Sequence, residues 1–195
     1  SRSWPRSPLT WRVGLVLGCA ATIYFDTNAF VPDYLKATHH AELITPALTS
    51  LNLLQLPASV LVATFANRMV ARRWPLVGAG ALALAALAGF LGLSGSWSII
   101  GVGLLGFCSA LGLTLNLALP PLLTDADDVH RLSAAMFTIS YTCAFVTSLI
   151  GGAVWDATGI PATAFIMVAA AGPLLVVLAL GLRFPRPATA GSPYQ

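Results

Sequence analysis

Leu76-Val77-Gly78-Ala79-Gly80-Ala81-Leu82-Ala83-Leu84-Ala85-Ala86-Leu87-Ala88-Gly89-Phe90-Leu91-Gly92-Leu93 runs for eighteen residues without one polar side chain. As a helix it measures about 27 Å, close to the roughly 30 Å hydrocarbon core of a bilayer. Arg72, Arg73 and Trp74 stand just before it, the residue types favoured where lipid meets water. Lipid offers no partner to a backbone N–H or C=O, so such a run must close its own hydrogen bonds as a helix.

Five further apolar runs flank this one: Val13–Leu35, Leu43–Phe65, Ile99–Leu119, Leu132–Trp155 and Ala162–Leu182. Each is long enough for one crossing, and none alternates as a membrane β-strand does. Over the whole chain of 195 residues, 57% are hydrophobic and 9% charged, with a mean hydropathy of +0.81. A soluble domain carries about 25% charged residues. The composition excludes an ordinary soluble enzyme, a disordered chain and a nucleic-acid binder. It predicts an all-α integral membrane protein with six transmembrane helices.

Loop charges set the orientation. Six crossings put both termini on one side. That side receives Arg2, Arg6, Arg12, Arg68, Arg72, Arg73, Arg131, Arg183 and Arg186, whereas the other receives only Lys36. The positive-inside rule makes the arginine side cytoplasmic. The reading divides the chain into a cytoplasmic linker at 1–12, a six-helix bundle at 13–183 and a disordered cytoplasmic tail at 184–195. The start, Ser1-Arg2-Ser3-Trp4-Pro5-Arg6, lacks a Met and reads as a cut linker.

Polar residues are distributed unevenly. The third run has none and the sixth only Thr163, while the first, second, fourth and fifth carry several each. The order is polar, polar, apolar, twice. Each unit has three crossings, so the second must be inverted relative to the first. Inverted three-helix repeats with midplane substrate sites recur in secondary transporters. The pattern predicts spans three and six facing lipid, spans one and four lining a central cavity, and spans two and five flanking it. Gly106 with Ala110 and Ser148 with Gly152 have the small-x-x-x-small spacing of close helix packing.

Asp26, flanked by Thr27 and Asn28, is the deepest carboxylate. An acid at a helix centre costs about 2.5–3.5 kcal/mol to insert, and such residues mark substrate or proton paths. The alternative is that the helix ends early and Asp26 is wet at the outer mouth. Asp33 near the outer end has Lys36 as a possible partner. Asn52, Gln55 and Ser59 share a helical face, and Pro57 frees the Leu53 carbonyl, predicting a kink. Thr138, Tyr141 and Phe145 form a stripe on the fifth run, with Thr142 beside them. These are cavity candidates, set against plain helix–helix packing or hydroxyls bonded back to their own helix, a reading that fits Thr147 and Ser148 well. Asn116, before Pro120-Pro121, serves an inner gate or caps a helix. Asp125, Asp127 and Asp128 pair with Arg68, Arg72 or Arg73 or stay solvated. Cys19, Cys143 and Cys108 lie inside apolar runs as packing residues. His39-His40 lacks metal spacing, so no metal is assigned. No nucleophile–base constellation, phosphate loop or cofactor motif occurs, so neither an enzyme nor a nucleotide-driven pump is expected.

Six helices in a 3+3 arrangement resemble one half of a major facilitator superfamily transporter. The superfamily's cytoplasmic motif G-x-x-x-D-R-x-G-x-R-R is matched at Arg68, Arg72 and Arg73. Ala63, Asn67 and Val70 stand in place of its Gly, Asp and Gly. The run from Gly151 to Gly159 is similar to the superfamily's eleventh helix. Residues 28–35, 55–59 and 128–141 resemble the cyanate and 2-nitroimidazole transporter group. The resemblance implies helices seven to twelve of a protein about twice this length. Its missing partner is an N-terminal six-helix half, its substrate a small organic solute, and its place the cytoplasmic membrane. A self-sufficient homodimeric carrier or channel is the alternative.

Overall fold

The computed structural model describes residues 7–70, 72–93 and 95–182. Arg2, Arg6, Arg183, Arg186, the first half of the expected linker and the expected tail lie outside the described residues. The rest is helical, with no strand among the described residues. The helices are α1 (Pro8–Ala37), α2 (Ile44–Leu53), α3 (Gln55–Met69), α4 (Trp74–Gly92), α5 (Ser96–Leu117), α6 (Pro120–Leu123), α7 (Val129–Thr158) and α8 (Ile166–Gly181). Short 3-10 turns at Ala41–Leu43, Ala126–Asp128 and Pro161–Phe165 precede α2, α7 and α8. Six spans are long and apolar enough to cross a membrane, with α2 and α3 sharing the second. The chain is an all-α, multi-pass membrane protein.

Local chemistry sets the boundaries. Prolines open α1 and α4, where a missing N–H costs nothing. α1 therefore starts at Pro8, within the stretch read as linker. Pro57 cannot donate to the Leu53 carbonyl, and the second span breaks there, between Leu53 and Gln55. Gly159 ends α7 in the left-handed conformation, φ 67°, its N–H bonded to the Trp155 carbonyl at 2.8 Å.

Burial repeats with a period of three spans. In the most apolar stretch of each span, 67% of residues are buried in the first and fourth, 17% in the second and fifth, and 39% in the third and sixth. Packing repeats in the same way. α1 lies along α7 as α5 lies along α2 and α3, α1 packs on α8 as α5 packs on α4, and α4 and α8 pack on each other. Exchanging span one with four, two with five and three with six reproduces every one of these relations. The polar–polar–apolar order marks a structural repeat whose second copy, after three crossings, is inverted.

Spans two and five are the most exposed, and spans three and six, expected to face lipid, bury one face and expose the other. α4 and α8 cross where a Cβ on Gly80 would sit 2.6 Å from the Gly172 carbonyl oxygen, and this close crossing buries one face of each. Their other faces carry exposed Leu82, Leu174, Val177 and Leu180. The pairing of Ser148 with Gly152 is corrected. A Cβ on Gly152 would meet open space, whereas one on Gly151 would lie 2.7 Å from the Ala164 carbonyl. Gly106 does pack closely, its α-carbon facing the Leu51 carbonyl.

Candidate functional site

α1 carries two stripes with different tasks. Residues 14, 18, 22, 26 and 30 recur every fourth position and face α7. Gly14 meets Ile139, Gly18 meets Cys143, Thr22 meets Thr147, Asp26 meets Ser148, and Phe30 meets Gly151. The matching every-fourth-residue rows of two helices interlock in this way. Leu17, Ala20, Ala21 and Tyr24 form the second stripe, which borders a cavity of about 200 Å³.

That cavity is built from the four polar spans. α1 supplies Tyr24 and Phe25, α3 supplies Gln55, α5 supplies Ser109 and Leu113, and α7 supplies Phe137, Ser140 and Tyr141. Four rings form a continuous band: Tyr24 edge-on to Phe25 at 5.3 Å, Phe25 to Tyr141 at 6.0 Å, and Tyr141 stacked on Phe137 at 6.1 Å. Such rings give a rigid apolar lining with a polar handle. The Tyr141 hydroxyl has no hydrogen-bond partner among the described residues, and the residue is 57% exposed. A small organic solute can lie against these rings and bond that hydroxyl.

Asn52 organises the cavity's edge without lining it. Its Oδ1 accepts from the Tyr24 hydroxyl at 3.1 Å and from Gln55 Nε2 at 3.2 Å, and its Nδ2 donates to the Leu48 carbonyl at 2.8 Å. Ser59 bonds back to the Gln55 carbonyl. The shared helical face of Asn52 and Gln55 is real, and the amide fixes Tyr24 from the neighbouring span. Thr138 and Thr142 spend their hydroxyls on the Ala134 and Thr138 carbonyls and lie outside the cavity. Phe145 is exposed beyond it. Asn28 is half-buried on α1, one turn past Tyr24, and is not part of the lining.

Asp26 is neither at a wet mouth nor on the cavity wall. It is 0% exposed and sealed between α1 and α7. Ser148 Oγ donates to Asp26 Oδ1 at 2.5 Å, and Thr147 Oγ1 reaches the same oxygen at 3.4 Å. Thr147 also sits 3.2 Å from the Thr22 hydroxyl. Of the two hydroxyls expected to bond back to their own helix, Ser148 does not, and Thr147 does so only in part, at the Ala144 carbonyl. Asp26 Oδ2 and the Thr27 hydroxyl, both buried, have no hydrogen-bond partner among the described residues. Every other acidic side chain in the chain is exposed.

Asn116 is fully buried and donates to the Val13 carbonyl of α1 at 3.3 Å, joining two spans rather than capping a helix. At the arginine end, Asn67, Arg68, Arg72 and Arg73 are exposed. No carboxylate pairs with these arginines among the described residues. Asp128 pairs with Arg131 instead, at 3.5 Å, and the Arg73 guanidinium lies 5.6 Å over the Trp74 ring. At the opposite end Asp33 does pair with Lys36, at 3.6 Å. Sequence reasoning missed Phe25, Phe137, Ser109 and Ser140. Their signal was their register: each lies within one turn of a polar residue on a polar span.

No family model matches the chain, and no curated protein or solved structure matches it.

Proposed function

We propose that this chain is the C-terminal six-helix half of a secondary active transporter of the major facilitator type, akin to the cyanate and 2-nitroimidazole carriers. In this reading it acts as a carrier, not an enzyme, and moves a small organic solute, anions included, by alternating access. Its membrane is the cytoplasmic membrane and its arginine-bearing end faces the cytoplasm. One observation carries the reading. The inverted repeat leaves spans two and five, both polar, least buried, and they flank an aromatic cavity open on the same side. Transport folds of this kind place the substrate between two such units. A second six-helix unit set against α3 and α7 would close the cavity and cover Leu53, Leu56, Val60, Tyr141 and Phe145, all exposed here.

Cysteine substitution on the exposed faces of α3 and α7, followed by crosslinking in native membranes, tests the arrangement. Crosslinks to a six-span segment encoded upstream support the half-transporter. Crosslinks only between identical chains, with saturable solute uptake by the purified chain, replace it with a homodimeric carrier.

A further inference from the structure

The α1–α7 seam holds a feature that the cavity does not use. Asp26 is buried with one carboxyl oxygen bonded to Ser148 and Thr147 and the other unpartnered. No cation among the described residues offsets it. α2, α4, α5 and α8, and the turn Pro161–Phe165, contain no Asp, Glu, His, Lys or Arg. On α7 the ionisable side chains near the seam are Cys143, one turn below Thr147, and the exposed Tyr141, whose ring turns to the cavity. On α1 they are Cys19, beside the Cys143 that meets Gly18, and Tyr24, which donates its proton to Asn52. Asp33 and Lys36 pair with each other in the open, and Glu42 pairs with His40 in the outer loop. A carboxylate sealed in apolar surroundings without a counter-charge is strongly disfavoured.

Beside the cluster lies a void of about 140 Å³, bordered by Gly18, Cys19, Thr22, Cys143, Thr147 and Met167. Its walls are almost wholly apolar, so nothing in it holds water while the seam is closed. The Thr22 and Thr147 hydroxyls, bonded to each other, stand between it and Asp26.

We propose that the Thr22–Asp26–Thr147–Ser148 cluster is a proton-controlled latch between two membrane helices. In the closed seam Asp26 carries a proton on Oδ2, and its carbonyl oxygen accepts from Ser148. Opening breaks the Oδ2–H bond. As α1 parts from α7, water reaching the opened seam takes the proton as hydronium and hydrates the carboxylate left behind. Gly14 and Gly18 line the part of the seam that must move. The latch does not rest on the transport reading and needs no solute.

The test uses the whole chain in lipid bilayers, wild type against Asp26→Asn, by infrared difference spectroscopy across pH. The other acidic side chains are exposed, and the difference between wild type and Asp26→Asn isolates the buried one. A protonated-carboxyl C=O band should therefore be present in the wild type while the seam is closed and be absent in Asp26→Asn. It should disappear at higher pH, and alkylation of Cys143, located by mass spectrometry, should rise with its loss. A cysteine at exposed Ala41 corrects for the thiol's own pH dependence. In Asp26→Asn the corrected alkylation should stay flat. Ser148→Ala, which keeps the acid, should move the band to higher frequency by removing its hydrogen bond, and this arm stands if Asp26→Asn fails to fold. Absence of the band at every pH in both wild type and Ser148→Ala overturns the latch. So does corrected Cys143 alkylation that rises with pH equally in Asp26→Asn.

Discussion

Gly80 and Gly172 meet backbone to backbone where α4 crosses α8. A Cβ on Gly80 would lie 2.6 Å from the Gly172 carbonyl oxygen, and one on Gly172 would lie 3.0 Å from that of Gly80. The relation is nearly symmetric because these residues occupy corresponding places in the third and sixth spans. The crossing is where the two repeats touch through matching elements, and it seats α1 and α5 behind it.

Gly80→Val should therefore destabilise the bundle. Backbone cannot yield as a flexible side chain does, and forcing methyl groups into a filled contact costs about 1–3 kcal/mol. Gly78→Val, where a Cβ meets nothing within 4 Å, is the control. Thermal unfolding in detergent should show a clear loss for Gly80→Val and a small change for Gly78→Val. Equal effects would remove the crossing from its structural role.

Much of the fold was legible because the bilayer restricts the alternatives. Six spans, their limits within a few residues, the break ahead of Pro57 and the threefold period of polarity all follow from hydropathy and proline chemistry. Which face each span turns inward was not legible. Spans three and six have no polar side chains to mark an inner face, so their packing through Gly80 and Gly172 left no pattern distinct from lipid exposure. The site divides in the same way. Asn52 and Gln55 were readable as a helical face, and Tyr141 as a stripe member. That Asp26 turns to α7 while its neighbour Phe25 turns to the cavity depends on the rotation of α1, which is fixed by the glycines at 14 and 18 against Ile139 and Cys143.

Gly151 and Gly152 offer a direct check of that rotation on α7. Gly151→Ala would place a methyl 2.7 Å from the Ala164 carbonyl and 3.0 Å from the Phe30 ring, while Gly152→Ala meets open space. The expected outcome is a lower unfolding temperature for Gly151→Ala. Gly152→Ala should be neutral or slightly stabilising, since alanine favours helix by about 1 kcal/mol over glycine. The reverse order would mean that α7 is rotated by one residue.

Asn52 and Tyr24 bind the second span to the first across the cavity edge. Asn52→Leu removes the acceptor for the Tyr24 hydroxyl and for Gln55, both of which can turn to water or ligand. Hydrogen bonds between membrane helices average about 0.6 kcal/mol and reach about 1.7 kcal/mol. Stability should therefore fall by less than about 2 kcal/mol, whereas on the proposed carrier reading solute affinity should drop, because Tyr24 and Gln55 lose their fixed positions. Unchanged affinity with lowered stability would assign Asn52 to packing alone.

Tyr141 separates ring from hydroxyl. Its ring stacks on Phe137 at 6.1 Å with planes 17° apart, and its hydroxyl has no hydrogen-bond partner among the described residues. Tyr141→Phe keeps the stack and deletes one hydrogen-bonding group; Tyr141→Ala removes both. If a solute bonds the hydroxyl, Tyr141→Phe should weaken its binding by about 0.5–1.5 kcal/mol, roughly 2- to 13-fold. Tyr141→Ala should weaken it further by uncovering Phe25 and Phe137. Solute binding, followed by quenching of intrinsic fluorescence, measures both. A solute that binds Tyr141→Phe as tightly as wild type, yet loses affinity in Tyr141→Ala, uses the ring alone. Equal affinity in all three would place the substrate away from the aromatic band and return the cavity to a packing gap between the polar spans.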